Sequence, residues 1–504
     1  MSLTSLGFFL FLLITLALYY ILPGKLQKYI LLGAGLYFYF EVITIEPYKV
    51  ALVLAYIVTV TYLGALWIER TCGKAKTGVA ILVIGALVGA LFVLKYAYNM
   101  VSLLLALFSV DGSITWLQFA SLMGISYFML SAIGYLMDVY WESYRAERNF
   151  VVVALFVLYF PQMISGPITR FSQMKEQFTT RHRPEYEDVS GGMRRMAWGY
   201  FKKLVISERF AVIVTTVFGS YNEYSGILLI VASLCYLIRL YTDFSGCMDI
   251  IMGASQMFGI HLPENFNAPF LSRSIKEFWQ RWHITLGNWF KDYVMYPVQI
   301  SKPFISLGKK SKKLLGKKHG KKVPTYLSMF ILWFLLGVWH GGTAQYFVAS
   351  ALIPFILLIG GDLLEPVWAN LMKKWSVHTE GFVFRQLQRI RTMLLLCLCW
   401  FFVCTSAVHN GLEAIKQVCT HFVWKASRSI SLESLGMDYV DLLLMIIGLV
   451  LILFEHACLG HDTNMKEVMD KQKWPIRYVA IYAELLVILF FGMVGNSTFI
   501  YFKF

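Results

Sequence analysis

Runs of about 20 largely apolar residues, the length that crosses a bilayer core, recur along the chain with short polar segments between them. They predict about twelve membrane-spanning helices, near residues 5–22, 28–43, 50–68, 78–95, 116–137, 204–219, 225–242, 325–344, 346–362, 393–410, 439–457 and 477–495. The first of these lacks both a basic leader and a small-residue cleavage site, so a retained helix is expected there.

Two stretches break the pattern. Residues 150–167 are apolar but carry Pro161, Gly166 and Pro167, with basic residues at both flanks. Irregular backbone at membrane depth survives only where protein or a wet cavity shelters it, so a re-entrant hairpin is expected. The second stretch includes SRSIKEFWQRWHITLGNWFKDYVMYP, residues 272–297. At helical period, Glu277, Arg281, Asn288 and Asp292 form a polar stripe opposite Trp279, Trp282, Leu286, Trp289, Phe290 and Tyr293, which predicts one amphipathic helix, interfacial or half-inserted.

Composition strengthens the membrane reading. Of 504 residues, 58% are hydrophobic and only 15% are charged, too little polar surface for a water-soluble globule of this size. Lys25 and Lys28 place the first loop inside, whereas Glu41 and Glu46 suit an outside second loop. The expected protein is a multi-pass plasma-membrane chain with both termini extracellular, folded as a single integral membrane domain over residues 1–504.

The net charge of +15 is concentrated in one place. Lys302, Lys309, Lys310, Lys312, Lys313, Lys317, Lys318, Lys321 and Lys322 lie in a polar segment between two apolar runs, where lysines mark a cytosolic loop near anionic lipid. No nucleic-acid fold surrounds them, so nucleic acid is not an expected partner. The eight cysteines show neither metal-ligand pairing nor a disulfide framework and read as small buried hydrophobes.

Two histidines carry the candidate chemistry. His283 falls at the edge of the aromatic face of the interfacial segment. His340 lies in FLLGVWHGGTAQYF, about 22 Å along a span that starts near Thr325, in a core about 30 Å thick. An ionisable group at that depth is costly and is a functional candidate by default, against the plainer reading of a polar tie between helices.

Six blocks in one order resemble the membrane-bound O-acyltransferase (MBOAT) family, in its bacterial alginate and peptidoglycan O-acetyltransferase branch. They are GISYFMLSAIGYLMDVY (124–140), YFPQMISGPITR (159–170), YTDFSGCMDIIMGASQMFGIHLPENFNAPF (241–270), EFWQRWHITLGNWFKDYVMYP (277–297), GVWHG (337–341) and STFIYFKF (497–504). The resemblance implies an all-α polytopic membrane fold, a ring of helices with re-entrant and interfacial segments around a central tunnel. It implies an O-acyltransferase that moves an acyl group, acetyl above all, from a cytosolic donor toward an extracellular polysaccharide, peptidoglycan or teichoic-acid acceptor.

It also implies His340 as the principal catalytic residue and His283 as the second histidine. A neutral imidazole suits removal of a hydroxyl proton, so His340 is expected as general base, with an acyl-histidine intermediate as the alternative. His283 would orient the donor or polarise its carbonyl. Trp339, Asp243, Asn288 and Trp282 are the expected substrate-binding residues, and Asp243 and Asp249 are placed to bias an imidazole or to make structural polar contacts. Neither a bound cofactor nor a metal is expected. The donor is expected to be acetyl-CoA or another acyl thioester, and the partner an extracytoplasmic SGNH-type acyltransferase. Alternatives are a D-alanyl transfer protein of teichoic acid, and a non-catalytic transporter or scaffold for an extracellular acyltransferase. Transporters often show inverted repeats and paired broken helices, and neither is visible here.

Overall fold

The computed structural model describes residues 1–42, 46–98, 100–101, 105, 124–341, 343–422, 431–461, 463, 465–494 and 499–500. Among them the chain is helical, and the one β-type contact is an isolated bridge between Phe266 and Trp282. Among the described residues, eight helices are long and apolar enough to cross a membrane: Pro47–Arg70, Gly73–Ala97, Gly226–Gln256, Lys322–Trp339, Ala344–Lys374, Phe382–Cys404, Tyr439–Leu459 and Trp474–Phe491.

The other expected spans differ for identifiable reasons. Leu6–Ile21, Gln27–Val42 and Ile125–Tyr140 each have 16 residues, about 24 Å of helix, short of a full core thickness. The run at 204–219 is divided into a π-type turn, Phe201–Ser207, and a helix, Glu208–Gly219. The first part of the span expected at 116–137, and most of the terminal block 497–504, lie outside the described residues.

The chain forms two compact units. The first comprises residues 1–199, 247–263 and 498–504. Its aromatic core sets Phe160 against Phe11 at 5.2 Å and against Phe38 at 5.8 Å between ring centroids. The irregular stretch proves to be a helix, Phe150–Val157, a break, and a single turn at Phe160–Met163, buried almost throughout from Val152 to Thr169. Burial of non-helical backbone demands internal hydrogen bonds. Here Tyr159 meets Ser255 at 2.8 Å and the Gln162 amide donates to Thr169 at 3.0 Å. Gly192 and Gly253 let two helices approach closely, since a β-carbon on either would come within 2.5 Å of the other's carbonyl oxygen.

The second unit comprises residues 200–246 and 264–497. The lysine-rich segment, expected as a loop, is a helix over Lys302–Gly320 that breaks at Gly316 (φ 77°) and folds back, with the Ser311 hydroxyl donating to the Gly320 carbonyl at 2.7 Å. Lysine is a good helix former, and glycine at 316 permits the positive φ. The cysteines correct a further expectation: Cys235, Cys247, Cys397 and Cys399 are buried, but Cys72 and Cys419 are exposed.

Candidate active site

The segment expected as one amphipathic helix is two short ones, Ile275–Arg281 and Ile284–Phe290, separated at His283. His283 adopts φ 46° and ψ 53°, the left-handed region, which costs a residue with a β-carbon about 1–3 kcal/mol. The polar and aromatic period continues across the break, which is why periodicity alone gave an unbroken helix.

Asn265 holds the break in place. Its backbone carbonyl accepts from the Ile284 N–H at 3.0 Å. Its side-chain oxygen accepts from the Thr285 N–H at 3.1 Å and the Thr285 hydroxyl at 2.9 Å, and it faces His283 Nδ1 at 3.1 Å. One residue therefore fixes the turn from 283 to 285. All three side chains are buried.

His340 reaches the same region from another element. The Lys322–Trp339 helix ends there, with the His340 N–H bonded to the Leu336 carbonyl at 3.0 Å and Gly341 following at φ 112°. His340 is thus a half-buried helix cap, whereas the expected span ran on to residue 344.

Trp339 joins the two histidines. Its ring lies 4.8 Å from that of His340 and 6.4 Å from that of His283, while Phe244 closes over His283 at 4.7 Å, edge to face. Burial, and then the nearby His340 imidazole, push the pKa of His283 well below the usual histidine range. Burial thus favours the neutral form of the His283 imidazole.

The remaining expected residues divide. Asp243 is buried, and its carboxylate is held by Lys203 Nζ at 2.6 Å, with Glu208 on the same ammonium at 2.6 Å. Asp243 thus anchors helices, and its neighbour Phe244 makes the imidazole contact. Asp249 belongs to the first unit, paired with Arg195 at 3.0 Å. Trp282 packs against Phe266 at 5.1 Å and Phe278 at 5.3 Å. Asn288 is exposed on the outer side of its helix. Of the four expected substrate contacts, Trp339 is the one whose ring meets both imidazoles among the described ring contacts.

Sequence reasoning missed three positions. Asn265 and Phe244 both lie within residues 241–270, and an amide in a loop that precedes a histidine segment was the available signal. The third is His456, fully buried on the Tyr439–Leu459 helix at 5.0 Å from the rings of Tyr241 and Phe270. It had no motif around it to single it out.

Comparison with known proteins bears on this arrangement. The family model described as MBOAT, membrane-bound O-acyltransferase family, matches residues 145–361, which include both histidines. A probable alginate O-acetylase of Pseudomonas syringae pv. tomato is 32% identical over 286 residues, 57% of this chain and 49% of that protein, so the match spans about half the relative's length. A probable alginate O-acetylase of Pseudomonas putida is 29% identical over 444 residues, 86% of this chain and 84% of the relative. A peptidoglycan O-acetyltransferase of Helicobacter pylori is 28% identical over 323 residues, 58% and 56% of the two chains.

Proposed function

Because this chain belongs to the membrane-bound O-acyltransferase family, we propose that it transfers an acyl group, acetyl above all, from a cytosolic thioester to a hydroxyl at the outer face. The observation that carries this reading is the convergence of His283 and His340 on Trp339. Two imidazoles brought together from separate elements are more than a polar tie between helices requires.

In the proposed reaction His340 takes the acceptor hydroxyl proton, the oxygen attacks the thioester carbonyl carbon, and the C–O bond forms as the C–S bond breaks. The proton then passes from the imidazolium to the departing thiolate, so the residue is regenerated. A proton acceptor of this kind contributes about 10²–10⁴-fold. The immediate acceptor is a hydroxyl of an extracytoplasmic SGNH-type partner or of an envelope polymer.

Ester analysis tests the function. Mild alkaline hydrolysis of envelope polymer from cells with and without the gene should release acetate in the first case and little in the second. Release of D-alanine instead would move the assignment to teichoic-acid alanylation. No change in either would remove the acyl-transfer reading.

Orientation follows from the lysine helix, which we place in the cytosol with both termini outside. In a variant lacking exposed Cys72 and Cys419, a cysteine at Lys313 should resist membrane-impermeant maleimide in intact cells and react after permeabilisation. Reaction in intact cells would reverse the orientation. Lys312→Ala and Lys313→Ala should each leave acylation unchanged, because nine lysines share the anchoring; loss of activity at normal protein level would mark a specific donor or partner contact.

A further inference from the structure

The side-chain oxygen of Asn265 is identified by its neighbours. A backbone N–H can only donate, so the Asn265 atom 3.1 Å from the Thr285 nitrogen is the carbonyl oxygen and not the amide nitrogen. An amide carbonyl oxygen can only accept. His283 Nδ1, at 3.1 Å from that same oxygen, must therefore carry the hydrogen. In a neutral imidazole the other nitrogen, Nε2, is then a lone pair.

We infer that Asn265 is a positioning residue that locks His283 as the Nδ1–H tautomer, so that His283 works as a proton or hydrogen-bond acceptor through Nε2. This rests on the acyl-transfer reading for its catalytic meaning, and it changes one part of that reading. A lone pair cannot polarise a carbonyl by hydrogen bonding, so the role of carbonyl polariser expected for His283 from sequence is excluded while the ring is neutral. What Nε2 can receive is an O–H or an S–H: the acceptor hydroxyl before transfer, or the thiol that forms afterwards. The site then holds two acceptors, His340 and His283, and the stabilising donors for the oxyanion come from elsewhere.

The lock is built rather than incidental. Asn265, His283 and Thr285 are all nearly inaccessible to solvent, at 1%, 4% and 7% exposure. The Thr285 hydroxyl also donates to the shared oxygen, at 2.9 Å, which opposes rotation of the amide. The left-handed backbone at His283 falls at the same residue as this hydrogen bond.

The tautomer can be read without any activity. In protein labelled with ¹⁵N-histidine in detergent micelles, the resonances lost on His283→Gln should show a protonated Nδ1 and an unprotonated Nε2 at neutral pH. If those resonances show Nε2–H, the inference is overturned whether or not the protein is an acyltransferase. Asn265→Leu should redistribute the two tautomers and lower transfer on the order of 10²-fold, the lower end of what a positioned proton acceptor contributes. Asn265→Asp keeps an acceptor oxygen, so it should recover most of the rate. It should also move the acid limb of the pH–rate profile upward, because a carboxylate favours the imidazolium. Asn265→Leu protein with wild-type rate and unchanged tautomer would sink the proposal. The wild-type spectrum decides the point even if that variant fails to fold. Normal acylation in His283→Gln would remove the catalytic meaning of His283 while leaving the tautomer assignment standing.

Discussion

His340→Ala should lower acylation of the envelope by about 10²–10⁴-fold while the protein inserts at its normal level. The residue caps the Lys322–Trp339 helix through its backbone N–H, which alanine retains, and its side chain is only half-buried. A stability loss is therefore expected to be small, within the roughly 1–2 kcal/mol of a polar tie between membrane helices. His283→Ala should lower the rate too. Residues that act as a unit are strongly non-additive, so the double variant should be scarcely worse than His340→Ala alone. The measurement is ester content of the polymer normalised to extracted membrane protein, for both single variants and the double. Full acylation by His340→Ala would leave the chain as a scaffold for an extracellular enzyme.

Lys203→Ala should leave little folded protein. Its ammonium is buried between Asp243 and Glu208 at 2.6 Å from each, and removing it leaves two carboxylates without their shared cation. Breaking a buried pair in this way costs about 3–5 kcal/mol, a large part of the roughly 5–15 kcal/mol that keeps a typical domain folded. Asp243→Ala should be milder, because Glu208 continues to pair with Lys203. Fluorescence-detected size-exclusion chromatography across a temperature series would rank the two variants. Were Asp243 a substrate contact, Asp243→Ala would instead keep the wild-type melting point and raise KM, and that result would reverse the structural assignment made here.

The membrane class and eight of the long spans were legible in the sequence because each depends on local pattern, the length of an apolar run. The irregular backbone at 150–167 was legible for the same reason, since Pro161, Gly166 and Pro167 announce it. What escaped was set by partners distant in the chain. Asn265 acts on His283 from 18 residues upstream and turns one helix into two, against an amphipathic period that runs straight through the break. Asp243 reads as a site carboxylate until Lys203, 40 residues earlier, is found holding it. Asn288 shares its helix with the aromatic face but lies on the exposed side, a placement set by packing and not by its nearness to His283 in sequence.

The most direct test places purified protein in liposomes with acyl-labelled thioester trapped on the side of the lysine helix and a hydroxyl acceptor, the partner protein or an envelope fraction, on the other. Wild-type protein should move label onto the acceptor as an alkali-labile ester, and His340→Ala at equal reconstitution should not. Equal transfer by both proteins would contradict a histidine-centred acyltransferase in this chain.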